Sequence, residues 1–164
     1  VWIINPDLLT RKLVVQEELE PGDANLQAVQ RIERWLNTSI DVHQTIGVET
    51  VLSTPKYRKL VQRAKSRGFE IRLIYVLVES VEIQIERVKV RVRKGGHDVP
   101  EHKIRERRVR SLAQLRWFFD QADRAIVLDN SASEPRLIVE RAEGIIRVSD
   151  RVLPEVAAAL DLPA

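Results

Sequence analysis

Ile71-Arg72-Leu73-Ile74-Tyr75-Val76-Leu77-Val78 is nearly all apolar and rich in branched side chains. An unbroken apolar run suits a strand covered on both faces, the environment of a parallel sheet. The flanking sequence extends that pattern. Upstream, Thr54-Pro55 supplies a cap followed by proline at the first helical position. Tyr57, Leu60, Val61 and Ala64 then form an apolar stripe, and Gly68 is a natural stop. Downstream, residues 81–92 carry two patterns. Val81, Ile83 and Ile85 alternate as in a strand, whereas Val81, Ile85, Val88 and Val92 share one helical face. The run is too long for an ordinary strand and Ser80 offers a cap, so a helix is expected. On it Arg87, Arg91 and Lys94 share a face.

Further out, residues 103–121 read as a helix with Ile104, Leu112 and Leu115 towards a core. Its Lys103, Arg107 and Arg110 form one basic stripe. Residues 125–128 read as a strand ending at Asp129-Asn130-Ser131. Residues 137–140 and 145–148 form a hairpin around Glu143-Gly144, and residues 152–160 a terminal helix. Towards the N-terminus, Val1-Trp2-Ile3-Ile4 is a strand ending at Asn5-Pro6-Asp7, and residues 8–13 begin a short helix. A loop over residues 17–23 leads to Asp23, which caps the next helix. Leu26, Val29, Ile32, Leu36, Ile40 and His43 recur there at helical spacing. His43 reads as a packing residue at the helix end rather than a ligand. Residues 47–52 are a further strand.

Strands alternate with helices over the first 130 residues. That pattern predicts an α/β fold: a three-layer parallel sheet with helices on both faces, closed by a C-terminal hairpin and helix. Ligands of such sheets sit beyond the carboxyl ends of the strands. Asp7, Glu49 with Thr50, Glu79, and Asp129 with Asn130 all fall at or near such ends.

The chain has 164 residues, 44% hydrophobic and 31% charged, enough for one domain spanning 1–164 with a real core. No segment approaches the roughly 18 apolar residues of a membrane span. With no cysteine, disulfides and thiolate metal sites are excluded, which fits a cytoplasmic protein. The net charge of +3 is uneven. Basic residues crowd 87–110 and acidic ones 17–23, and a local basic cluster attracts polyanions. The chain opens at Val1 inside a strand and contains no methionine, so a truncated N-terminus is expected.

Taken in order, Asn5-Pro6-Asp7, Val48-Glu49-Thr50-Val51-Leu52-Ser53, Gly95-Gly96-His97-Asp98-Val99-Pro100, the arginine-rich residues 104–112 and Asp129-Asn130-Ser131 resemble the zeta-toxin-like branch of P-loop kinases. The likeness spans roughly residues 1–140. It implies an ATP-dependent phosphotransferase using Mg²⁺, whose acceptor is a hydroxyl of a nucleotide sugar such as UDP-N-acetylglucosamine, and with it a possible antitoxin partner. It makes Asp7 the base, and Glu49 and Thr50 holders of substrate or of the metal's water shell. His97, Arg107 and Arg110 belong to a closing basic lid over about residues 91–110, hinged at Gly95-Gly96. Arg105 and Asn130 are nucleotide contacts, and no metal ligand is assigned. The family's first strand and phosphate loop are absent: no Gly-x-x-x-x-Gly-Lys-Ser/Thr occurs in the chain. Such a chain is expected to bind ATP poorly, because that loop supplies the backbone donors, the lysine and the Mg²⁺-binding hydroxyl.

Each residue has a plainer reading. Asp7 can cap the helix after Pro6, Thr50 can pack, and His97 can order a loop. Arg107 and Arg110 can pair with Glu101 or Glu106, and Asp129 can simply terminate its strand. Two other functions compete: a nucleic-acid- or nucleotide-binding module, and a catalytically inactive regulatory homologue. No aromatic residue interleaves the cluster at 87–110, which argues against a single-strand nucleic-acid reader.

Overall fold

In the computed structural model, which describes residues 2–4 and 6–162, the chain is mixed α/β. Its elements run β1 (Trp2–Ile4), α1 (Pro6–Gln16), α2 (Pro21–Asp41), β2 (Ile46–Val48), a 3₁₀ turn (Pro55–Tyr57), α3 (Arg58–Ser66), β3 (Arg72–Leu77), α4 (Val81–Arg93), α5 (Glu101–Gln121), β4 (Arg124–Asp129), β5 (Arg136–Ala142), β6 (Ile145–Val148) and α6 (Pro154–Leu160). The strands form two sheets, one of two strands in the order β1-β2 and one of four in the order β3-β4-β5-β6. Contacts gather the chain into two compact units. The first is Val1–Val51 with Lys59–Phe69, the second Leu52–Arg58 with Glu70–Ala164.

In the first unit β1 and β2 pair in parallel, Ile4 opposite Val48. α2 begins at Pro21, two residues before the expected Asp23 cap. Proline is pre-shaped for the first helical position and needs no donor there, which leaves Asp23 inside the first turn, where its charge suits the helix dipole. Ala24 and Ala28 bury that face against Leu13 of α1, with Leu9, Val14 and Leu19 beside them. Further along α2, Ile32, Leu36 and Ile40 are buried. His43 follows the helix at φ 54° and stacks on Phe69, ring centroids 5.6 Å apart. That agrees with its reading as a packing residue. β2 is half the expected length. The chain leaves the sheet after Val48, and Leu52, four residues on, adopts φ 54°, a left-handed conformation that a strand reaching residue 52 does not allow.

In the second unit β3 and β4 run parallel, while β5 and β6 add antiparallel strands, with a register shift at Val127/Leu128. The β5–β6 turn takes φ 53° at Glu143 and 76° at Gly144, the positive pair that a two-residue hairpin requires. Tyr75, Val127, Val139, Leu115, Phe118, Phe119, Val156 and Leu160 are buried. They come from one face of the sheet and from α5 and α6. The Tyr75 hydroxyl and Ser111 Oγ are 2.9 Å apart. Burial pushes the Tyr75 phenol up, and the bond to Ser111 works against that shift. Ile74 and Val76 point the other way and are 66% and 52% exposed. The apolar run at 71–78 is therefore covered on one face, not two as expected. Its unbroken hydrophobicity could not distinguish the two cases, because Ile74 and Val76 are as apolar as the core residues between them.

Residues 81–92 are helical. Ser80 Oγ accepts from the Ile83 amide at 3.3 Å, so the local cap decides an ambiguous pattern.

Candidate functional site

In the first unit the Glu49 amide donates to the Ile4 carbonyl at 3.0 Å. The carboxyl ends of β1 and β2 are thus side by side. Glu49 and Thr50 leave from that end and are exposed. Asp7 lies in the first turn of α1, three residues beyond β1. Its side chain is outside the described residues. The helix begins one residue before it, so its backbone is within α1 rather than at the cap.

In the second unit α4 and α5 form a hairpin between β3 and β4. The Gly96 amide donates to the Arg91 carbonyl and the Gly95 amide to the Val92 carbonyl, both at 2.9 Å. This paired closure ends a helix with a left-handed residue, here Gly95 at φ 81°. A Cβ on Gly96 would meet the Arg91 carbonyl oxygen at 2.9 Å. The glycine pair therefore has a structural duty beside any hinge. A Gly95→Ala substitution is expected to destabilise by about 1–2 kcal/mol through the left-handed backbone, and Gly96→Ala by about 1–3 kcal/mol through overpacking. Urea unfolding of each variant measures both. Arg91 Nη2 donates to the His97 carbonyl at 2.9 Å, tying the loop down, while the His97 side chain is exposed.

The hairpin's cations fall into two groups. Most are already paired: Lys89 with Glu101 at 2.8 Å, Arg93 with Glu86 at 3.2 Å, Arg105 with Glu82 at 3.0 Å, and Arg110 with Glu106 at 3.7 Å. The Glu82 carboxyl is held below its usual range, first by its own backbone amide and then by Arg105. Arg108 is the most enclosed. Its side chain is 10% exposed, Nε meets Glu155 of α6 at 2.9 Å, and Nη2 donates to the Val78 carbonyl at 2.8 Å. Arg107 is half-buried and, among the described residues, its side chain has no hydrogen-bond or ion-pair partner.

At the carboxyl ends of β3 and β4 a hydrogen-bond network joins the two following loops. Asp129, 5% exposed, accepts from the Ser131 amide at 3.0 Å, from Ser131 Oγ, and from Arg136 Nη2 at 3.0 Å. Burial raises its pKa, but those donors outweigh burial and hold the carboxyl below its usual range. Ser131 Oγ accepts from the Glu79 amide at 2.7 Å, and Arg87 Nη2 reaches the Ser131 carbonyl at 3.4 Å. The Asn130 amide extends the ladder to the Leu77 carbonyl at 2.7 Å.

Asp7, Glu49 and Thr50 therefore belong to the first unit, and His97, Arg105, Arg107, Arg110 and Asn130 to the second. Three roles escape a reading of residue types alone: Arg108 as an anchor, Asp129 as the centre of a network, and Arg136 as its partner. The Asp-x-Ser spacing of 129–131, which favours a side-chain-to-backbone turn, was the one available signal. Among the described residues no group of three or more histidine, cysteine or carboxylate side chains is placed to hold a metal, and no helix is long and apolar enough to cross a membrane.

No family model matches the chain, and no solved structure matches it. An uncharacterized protein of Haemophilus influenzae is 30% identical over 87 residues, 53% of this chain and 62% of that protein. The chain thus matches less than two thirds of that relative's length.

Proposed function

We propose that this protein is an ATP-dependent phosphotransferase resembling the zeta-toxin group, acting on a hydroxyl of a nucleotide-linked sugar such as UDP-N-acetylglucosamine. The observation that carries the reading is the basic hairpin. α4 and α5 leave from the carboxyl end of β3 and return as the parallel strand β4, the end at which open α/β sheets take ligands. Phosphoryl transfer asks a protein chiefly to align reactants and neutralise charge, and a helix pair dense in arginine suits that task.

In this reading Asp7 accepts the proton of the attacking hydroxyl. Glu49, Thr50 and His97 hold the acceptor, Arg107 and Arg110 neutralise phosphate charge, and Arg105 and Asn130 contact the nucleotide. Arg105 and Arg110 must exchange Glu82 and Glu106 for phosphate, whereas Arg107 has no such exchange to make. The hairpin's charge fits a polyphosphate. Mg²⁺ is held by one or two carboxylates plus substrate phosphates rather than by an all-protein cage. Glu49 and Thr50 would face the substrate or the ion's water shell rather than ligate it, and the ion's contribution would be to neutralise the phosphates.

The finer architecture belongs to the same proposal. Among the described residues β2 pairs only with β1, and β3 with β4 alone. A three-layer parallel sheet with helices on both faces is the architecture this reading entails. A cytoplasmic setting and an antitoxin partner are also part of the reading.

The test measures ATP consumption against a panel of nucleotide sugars, using a form of the polypeptide that supplies a phosphate loop, with product mass as the second readout. Consumption that depends on a nucleotide sugar supports the reading, and its absence across the panel overturns it. Residues 1–164 alone are expected to turn over little ATP.

A further inference from the structure

We infer that β6 is a pairing edge for a second copy of this chain, joining two four-stranded sheets through an antiparallel β6–β6 contact. This goes beyond the phosphotransfer reading and does not depend on it. Among the described residues β6 pairs with β5 alone, so its outer side offers unpaired backbone donors and acceptors, a template for another strand. Its side chains need the same cover. Ile146 and Val148 share the helix-bearing face with Val139, and Ile145 lies on the other face, so β6 is apolar on both. Ile145, Ile146 and Val148 are 54%, 46% and 39% exposed.

Natural edges are commonly kept from pairing by proline, lysine or a bulge. β6 contains no proline or lysine, and its ladder with β5 runs without a register shift. Its charged residue, Arg147, donates to Glu140 of β5 at 3.2 Å. That guanidinium therefore lies over its own sheet rather than guarding the edge.

Symmetry selects the second copy as occupant. The strand that adds to β6 must itself be extended with a free edge, and β6 meets that requirement for its own copy. A two-fold axis normal to the sheet sets the two β6 strands antiparallel with the same face up. Every such register places one residue opposite its own copy. Centring on an end residue, Ile145 or Val148, leaves almost no strand overlap. Centring on Arg147 opposes two like charges, which is destabilising. Centring on Ile146 sets Ile146 against Ile146 and Ile145 against Arg147, with no like charges opposed. Pairing β6 with the β3 edge of another copy would be head-to-tail, and such a contact does not close as a dimer. Four residues per strand make a small contact, below the roughly 1,200 Å² of a standard interface, so the dimer is weak, with a dissociation constant on the order of 10–100 μM.

The chain has no cysteine, so a single introduced thiol reports on the contact. Directly opposed residues of antiparallel strands have Cα atoms about 4.5–5.5 Å apart, within reach of a disulfide. Ile146→Cys treated with diamide is expected to form a covalent dimer. Ile74→Cys, on the exposed side of β3, should cross-link roughly tenfold more slowly or less, because no contact holds its copy opposite. Sedimentation equilibrium of the wild type over about 5–500 μM, a range spanning the expected constant, should show the mass rising towards the dimer. Ile146→Lys opposes two ammonium groups across the axis and should weaken association by about tenfold or more. Ile74→Lys should leave it unchanged. Thermal unfolding confirms that each variant is folded, and the cysteine pair decides the matter should Ile146→Lys fail to fold. A wild type that stays monomeric across the range overturns the contact. So does cross-linking as fast at Ile74→Cys as at Ile146→Cys, or association weakened as much by Ile74→Lys as by Ile146→Lys.

Discussion

An Asp7→Asn substitution in a phosphate-loop-bearing form of the protein is expected to lower kcat by about 10²–10⁴ while leaving the fold intact. The factor is that of a positioned general base. Asparagine keeps the size and polarity of the side chain but cannot take a proton at neutral pH, so the loss falls on the chemical step. Asp7 also sits in the first turn of α1, where removing a negative charge costs about 0.3–1 kcal/mol through the helix dipole. A purely structural aspartate would therefore show as a small fall in Tm with turnover preserved. A catalytic one gives the same slight fall in Tm and unchanged nucleotide affinity, but a collapse of kcat. Full-rate turnover by the variant removes Asp7 from the mechanism. Because the two outcomes differ by orders of magnitude, one steady-state assay with a parallel melt decides between them.

The elements were legible wherever a local signal settled a periodic pattern. Residues 81–92 carried both strand and helix periods, and Ser80 fixed the helix because its hydroxyl could answer the Ile83 amide. The hairpin at Glu143-Gly144 was legible for the same reason, since few residue pairs tolerate two positive φ angles. What the sequence concealed depends on packing between distant segments. The run at 71–78 announces a buried strand, yet only tertiary arrangement leaves Ile74 and Val76 exposed. The short β2 was hidden because Val51 and Leu52 have strand-forming side chains, while the left-handed Leu52 is not a residue-type signal.

The candidate site divides in the same way. Arginine density on residues 104–112 pointed to a phosphate-binding helix but could not sort its members. Arg107 and Arg108 are adjacent and chemically identical, yet they sit 100° apart around the helix. That rotation turns Arg108 onto Glu155 and Val78 and leaves Arg107 without a partner among the described residues. Their assignments thus follow from what each meets in space rather than from residue type.

Asp129 was read as a possible strand terminator, and its surroundings give it a larger role. Asp129→Ala is expected to destabilise the second unit by about 2–3 kcal/mol, since Ser131 and Arg136 would lose the acceptor that ties the two loops together. Arg136 is 40% exposed, so water recovers part of its interaction and the loss stays below that of a fully enclosed pair. The carboxyl's pKa is lowered in the folded state. Its contribution is therefore fully present above the ordinary aspartate value near 4, and disappears as pH falls through the lower folded value. Urea midpoints of wild type and Asp129→Ala should keep their full difference at pH 6–7, and the gap should begin to narrow only below about pH 4, closing as pH falls through the lowered folded value. The Asp129→Asn variant separates charge from shape. It retains one acceptor oxygen for Ser131 but cannot answer the Arg136 charge, so it should lose less than alanine does and show the same flattened acid limb. Equal stability of all three proteins at neutral pH would mean that the network is carried by the Glu79–Ser131 bond and the backbone ladder alone, with Asp129 merely enclosed by them.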